Sequence, residues 1–81
     1  MLYILQSDRD GSFYIGHTAR LAERVRRHNE GRSPYTRAKI PWTVVYKEEC
    51  VTRSEAMKRE RELKNRKNRD YIEQLVRASR V

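Results

Sequence analysis

The stretch from Phe13 to Asn29 constrains this chain most. Phe13-Tyr14-Ile15 has the aromatic and β-branched character of a strand, halts at Gly16, and yields within four residues to a helix-patterned run, Arg20 to Asn29. So short a strand cannot stand alone, and its partner must be near. Leu2 to Gln6 is a matching run. Between the two, Ser7-Asp8-Arg9-Asp10-Gly11-Ser12 is turn chemistry, with Asp-Gly supplying a residue tolerant of positive φ. An antiparallel hairpin is predicted. Alternation along each strand puts Leu2, Ile4, Phe13 and Ile15 on one face, and Tyr3, Leu5, Tyr14 and Gly16 on the other. Gly16 beside Tyr14 is expected to leave open space next to a phenol.

The helix that follows is expected to start from Thr18 as N-cap and stop at Gly31. Its inner stripe is Leu21, Arg24, Val25 and His28, so two of the four inward positions are polar. Arg32 to Pro41 is a basic, turn-rich loop. It reads either as a solvated connection or as a phosphate-contacting loop carrying an aromatic, Tyr35, among Arg32, Arg37 and Lys39.

Trp42 to Glu48 is the third strand, with Trp42, Val44 and Tyr46 on one face. Thr52-Arg53-Ser54-Glu55 is a capping-box pattern that starts a helix running to Lys64. Its inner stripe is Ala56, Met57, Glu60 and Leu63. Asn65 to Asn68 reads as a basic break, and Asp70 to Ala78 as a last helix with Ile72, Leu75 and Val76 inward. The fold class is α+β: a small three-stranded antiparallel sheet flanked by helices, one domain over residues 1–81.

Apolar and charged residues each make up 37% of the chain, so the core must be small. A net charge of +8 points to a polyanion such as nucleic acid, or to an anionic surface. The single cysteine, Cys50, excludes an intrachain disulfide or a thiolate metal cluster, and fits a reducing, cytoplasmic setting with Cys50 as a small buried hydrophobe. No apolar run approaches the roughly 20 residues of a membrane span, and no basic leader precedes Met1-Leu2-Tyr3, so neither membrane insertion nor a secretory signal is expected.

Five residues point inward without being apolar: Tyr3, Tyr14, Arg24, His28 and Glu60. A buried charge costs several kcal/mol unless it is paired. One account is structural, an Arg24–Glu60 salt bridge among ordinary core tyrosines. The other is phosphodiester hydrolysis. A lone carboxylate suits Mg²⁺ or Mn²⁺ that keeps most of its waters. An arginine can fork onto a phosphate and stabilise charge growing there. A tyrosine can act as general base, and a histidine one turn from the arginine can orient it or relay its proton. Neither a serine elbow, nor a glycine-rich phosphate loop, nor a paired-histidine zinc spacing is present.

The ordered set resembles the GIY-YIG endonuclease superfamily, and within it the small bacterial single-domain branch. Tyr14-Ile15-Gly16 is an intact second motif, while the usual Gly-Ile-Tyr of the first is reduced to Met1-Leu2-Tyr3. Thr18, Leu21, Arg24, His28-Asn29 and Gly31 follow the family spacing. Tyr35-Thr36-Arg37 and Pro41-Trp42 look like that branch's loop, and Arg53-Ser54-Glu55-Ala56 with Glu60 looks like the helix of the metal-binding glutamate.

The resemblance implies divalent-metal-dependent cleavage of DNA. Tyr3 and Tyr14 stand as the motif tyrosines, Arg24 as the phosphate-binding arginine, Glu60 as the single metal ligand, and His28 at a position of His or Tyr. His17 falls where some members carry a phosphate-contacting lysine. Asn65 is a loose counterpart of an asparagine that several members carry after the glutamate helix. Tyr14 is the expected base, because of the room beside Gly16, with Tyr3 and His28 in support. Family members that recognise particular sites or lesions carry extra domains, so low intrinsic sequence specificity or a targeting partner protein is expected. Branched or damaged DNA, and hence DNA repair, is the expected setting. The alternative is a non-catalytic nucleic-acid-binding module that retains the fold.

Overall fold

Strand β1 (Leu2–Ser7) is the middle of the sheet, with β2 (Phe13–His17) on one side and β3 (Trp42–Glu48) on the other, both antiparallel to it. These strands belong to a computed structural model that describes residues 1–66 and 69–79. A central strand covered on both faces has no exposed side to make polar, which accounts for the unbroken Leu2-Tyr3-Ile4-Leu5. Leu2 and Ile4 enter one core with Leu63, Ile72 and Val76. Tyr3 and Leu5 enter the other with Trp42.

Helix α1 (Leu21–Asn29) covers the Tyr3 face through Leu21 and Val25. Helices α2 (Arg53–Arg66) and α3 (Arg69–Ser79) cover the Leu2 face. The hairpin faces are as expected, and Gly11 sits in the turn at φ +77°. A single 3-10 turn, Arg37–Lys39, shapes the loop before β3.

Strict alternation fails in β3. Leu5 pairs with Val44 but Ile4 pairs with Tyr46, so Val45 is the extra residue of a β-bulge. Trp42 and Val44 therefore pack with Tyr3, whereas Tyr46 crosses to the Leu2 face with Val45. There the Tyr46 hydroxyl donates to Glu48 Oε2 at 2.8 Å, and Arg59 Nε donates to the same oxygen at 3.2 Å, tying α2 to the strand.

The helix ends differ from expectation in detail. Arg20, not Thr18, holds the cap position of α1; Thr18 Oγ1 accepts the Arg20 N–H from two residues upstream. Gly31 follows the C-cap at φ +79°, as a glycine stop requires. At α2, Thr52 Oγ1 accepts the Glu55 N–H at 3.1 Å, and Glu55 Oε2 accepts from Val51 N at 3.0 Å, one residue earlier than a standard box. Met57 faces solvent, because Ala56 and Leu63 already define the buried line of α2. The helix continues through Asn65 to Arg66 instead of breaking; Lys67 and Asn68 lie outside the described residues.

Candidate active site

The site starts at the β1–β2 register, where Tyr3 lies opposite Gly16. A Cβ on Gly16 would stand 2.7 Å from Tyr3 Oη, 2.9 Å from Tyr3 Cζ and 3.2 Å from Tyr14 Cε1. These distances leave no space for any side chain. The expected clearing beside Tyr14 is therefore filled by the phenol of Tyr3, and glycine is needed for close approach across the strands.

Helix α1 brings His28, buried, to the same point. Tyr3 Oη and His28 Nε2 are 3.2 Å apart, and His28 Nδ1 and Thr36 Oγ1 are 2.9 Å apart. The Tyr14 ring packs at 4.9 Å between centroids against the imidazole. Burial pushes the Tyr3 phenol above its ordinary value, opposed chiefly by a hydrogen bond from Arg24. Burial, and then the nearby Arg24 charge, hold His28 below the ordinary histidine value, so it is neutral at pH 7. The imidazole thus bridges Tyr3 and Thr36, one ring nitrogen to each hydroxyl, and its tautomer decides which of the two hydroxyls donates.

Thr36 is itself fixed, since Trp42 Nε1 donates to its carbonyl at 2.8 Å. Asn29 then clamps Trp42: its Oδ1 accepts from Trp42 N at 2.6 Å and its Nδ2 donates to Trp42 O at 3.1 Å. Thr36 and Asn29 were not singled out as a support from the sequence. Thr36 meets the His28 ring through its hydroxyl, and Asn29 acts on the backbone of Trp42 thirteen residues on, pairings that no local spacing announces.

Arg24 does not lie in the core stripe. It is exposed and lines a cleft of about 750 Å³ together with His17, Thr18 and Arg53. A guanidinium is kept at the surface by its desolvation cost, and only Leu21, Val25 and His28 of the expected stripe turn inward.

Glu60 is paired with His17 and Lys64 rather than with Arg24: Oε1 is 2.9 Å from His17 Nδ1, and Oε2 is 3.2 Å from Lys64 Nζ. Partial burial pushes the Glu60 carboxyl up, but His17 and Lys64 outweigh it and hold the group below its ordinary value. Lys64 was legible as an i,i+4 partner of Glu60. His17 was expected only as a phosphate contact. The Glu60 charge also acts on the Tyr3 phenol, and His17 and Arg24 wall one cleft, so Glu60 belongs to the same end of the sheet as the tyrosines.

Among the described residues no group of three or more His, Cys, Asp or Glu could cage a metal ion. An ionised carboxylate whose side chain is 21% exposed instead fits a hard divalent ion that keeps most of its waters. Glu60 is the residue that would hold it.

The basic loop divides. Arg32 lines a hollow with Arg24 and His28, and Tyr35 is exposed. Lys39 is drawn to the opposite end of the hairpin, where it pairs with Asp10 at 3.5 Å and donates to Ser12 Oγ at 3.2 Å. Arg37 is exposed, with its Cβ stacked near Gly31.

Residues 1–73 match the family model of the GIY-YIG catalytic domain. The chain belongs to the GIY-YIG nuclease family. Its relatives include a UPF0213 protein of Bacillus licheniformis, 43% identical over 76 residues, covering 89% of this chain and 77% of the relative. A UPF0213 protein of Streptococcus pneumoniae serotype 4 is 40% identical over 67 residues, covering 82% of this chain and 67% of the relative. Another, of Desulfotalea psychrophila, is 43% identical over 65 residues, covering 78% and 58%. No solved structure matches the chain. No described helix is long and apolar enough to cross a membrane.

Proposed function

We propose that the protein is a metal-dependent endonuclease that hydrolyses DNA phosphodiester bonds, with one site per domain and low intrinsic sequence specificity. The carrying observation is the meeting of Tyr3, Tyr14 and His28 over Gly16, with the Arg24 and Glu60 charges both near enough to act on the Tyr3 phenol.

Glu60 would hold Mg²⁺ or Mn²⁺, which when bound supplies Lewis-acid stabilisation of a phosphate oxygen. Arg24, exposed at the cleft, binds the phosphate and stabilises the charge that grows on it. Tyr14 is the half-exposed phenol of the pair and serves as general base toward attacking water. Its accessibility now carries that role, since the space beside Gly16 is taken. Tyr3 and neutral His28 form the buried support, with Nε2 positioned to take a proton from the Tyr3 hydroxyl. His17 holds Glu60 until the ion binds.

One observation favours a non-catalytic DNA-binding module: both Glu60 oxygens already have cationic or hydrogen-bonding partners. Supercoiled plasmid separates the readings. Metal-dependent nicking that disappears with EDTA, and in both Glu60→Ala and Arg24→Ala, supports the nuclease. DNA binding without nicking by the wild type overturns it.

A further inference from the structure

His17 ends β2, and strand alternation puts it with Phe13 and Ile15 on the face that α2 covers. Glu60 meets it there from α2, one turn beyond buried Ala56 and one turn before buried Leu63. Nδ1 and Oε1 are 2.9 Å apart, and both side chains keep access to water, at 24% and 21% exposed. Lys64 covers the other carboxylate oxygen, Oε2, at 3.2 Å, so a cation reaches the carboxylate by way of Oε1. His17 also walls the cleft of about 750 Å³ that Arg24 lines, whereas Glu60 is not among the described residues of that wall. The imidazole is thus the link from the carboxylate to the cleft.

Two donor atoms that hold one ion at about 2.0–2.2 Å, at right angles to each other, stand about 3 Å apart. The observed 2.9 Å therefore serves a hydrogen bond and such a chelate equally. Binding would exchange the proton that the two groups share for the ion, and the proton leaves to water. A ring nitrogen also changes which ion is preferred. Mg²⁺ takes oxygen ligands, whereas imidazole suits transition ions, for which mixed N/O sites gain affinity from Mn²⁺ toward Ni²⁺.

We propose that His17 Nδ1 and Glu60 Oε1 form a two-ligand metal site that prefers Mn²⁺ and later transition ions to Mg²⁺. This deepens the nuclease reading, resting on it only for Glu60 as the seat of the ion. It adds a second ligand and an ion preference.

The test uses the whole protein freed of metal, with Mn²⁺ and Mg²⁺ as the probes and no DNA. Pulsed EPR of the Mn²⁺-loaded wild type should show modulation from a directly bound imidazole nitrogen, and His17→Gln should lose it. By calorimetry the wild type should bind Mn²⁺ at least about tenfold more tightly than Mg²⁺, since even an outer-shell partner of a ligand is worth about 10–100-fold. His17→Gln should erase that margin through a fall in Mn²⁺ affinity alone, and Glu60→Gln should lose both ions. A wild type that binds no Mn²⁺, or binds it without nitrogen modulation, overturns the proposal whatever the variants do. So does modulation that survives in His17→Gln, Mn²⁺ binding retained in Glu60→Gln, or an equal fall for both ions in His17→Gln, which would make His17 only a brace for the carboxylate. Plasmid nicking separates this site from the nuclease reading. Nitrogen-bound Mn²⁺ without nicking keeps the site and removes the nuclease; Mn²⁺-dependent nicking without nitrogen modulation does the reverse.

Discussion

The hydroxyl of Tyr3 lies against the α-carbon of Gly16, 2.7 Å from where a β-carbon would stand. The Tyr3 ring is buried and bonded to His28, so it has nowhere to retreat. Gly16→Ala should therefore cost about 1–3 kcal/mol, the usual range for overpacking. In a domain of this size each kcal/mol lowers Tm by about 4–8 °C. A thermal melt checks this, and an unchanged Tm would mean that the phenol can swing aside. Nicking should fall as well, since Tyr3 and Tyr14 both border the added methyl.

The two tyrosines should separate by phenotype. Tyr3→Phe leaves a buried imidazole nitrogen without its hydroxyl partner, costing about 1–3 kcal/mol. Tyr14→Phe should leave stability within about 0.5 kcal/mol, as a half-exposed substitution away from such features does, and abolish cleavage. Urea unfolding beside plasmid nicking reads both effects. Near-normal cleavage in Tyr14→Phe with none in folded Tyr3→Phe would exchange their roles.

Stability should depend on pH through His28. Its folded value lies below the unfolded 6.5, so the unfolded chain binds the extra proton as pH falls. The contribution is complete above about pH 6.5 and is lost as pH drops through the folded value. Glu60, also depressed, starts from 4.5 and loses its contribution only in more acid solution. Between those values, denaturation free energy should decline in the wild type and decline less in His28→Gln. Parallel slopes for the two proteins would place the titration elsewhere.

Asn29 is predicted to be a structural keystone of the loop. Its amide satisfies both the N–H and the C=O of Trp42 at the start of β3. Asn29→Ala strands these two backbone groups and should cost about 1–3 kcal/mol. It should also speed hydrogen exchange at the Thr36 and Trp42 amides, because Trp42 Nε1 holds the Thr36 carbonyl. Exchange rates unchanged at both amides would show that the loop is held by other means.

Much of the architecture was readable because it rests on local rules. Alternation marked Leu2, Ile4 and Ile15 against Tyr3 and Tyr14, Asp10-Gly11 marked the turn, and Thr52 with Glu55 marked the start of α2. The failures came where the decisive interaction is distant. Nothing in Trp42-Thr43-Val44-Val45-Tyr46 signals a bulge, since the extra residue is defined only by pairing with β1. The set Tyr3, Tyr14, His28 and Glu60 was recognisable as polar residues on apolar stripes. The partnering of Glu60 with His17, 43 residues away, was not. Arg24 was misread as inward because helical periodicity reports a face, while its long side chain can leave that face for water.

The bulge at Val45 sets the phase between the two halves of the molecule. Ahead of it, Trp42 and Val44 answer to Tyr3, His28 and the loop; after it, Tyr46 and Glu48 answer to Arg59, the neighbour of Glu60. One residue is thus the offset by which the helix bearing the carboxylate is indexed to the strands bearing the phenols. Deleting Val45 would let Val44 and Tyr46 follow one another opposite Leu5 and Ile4, so that each keeps its face of the sheet while the local bend of the bulge and the Val45 contact in the Leu2 core are lost.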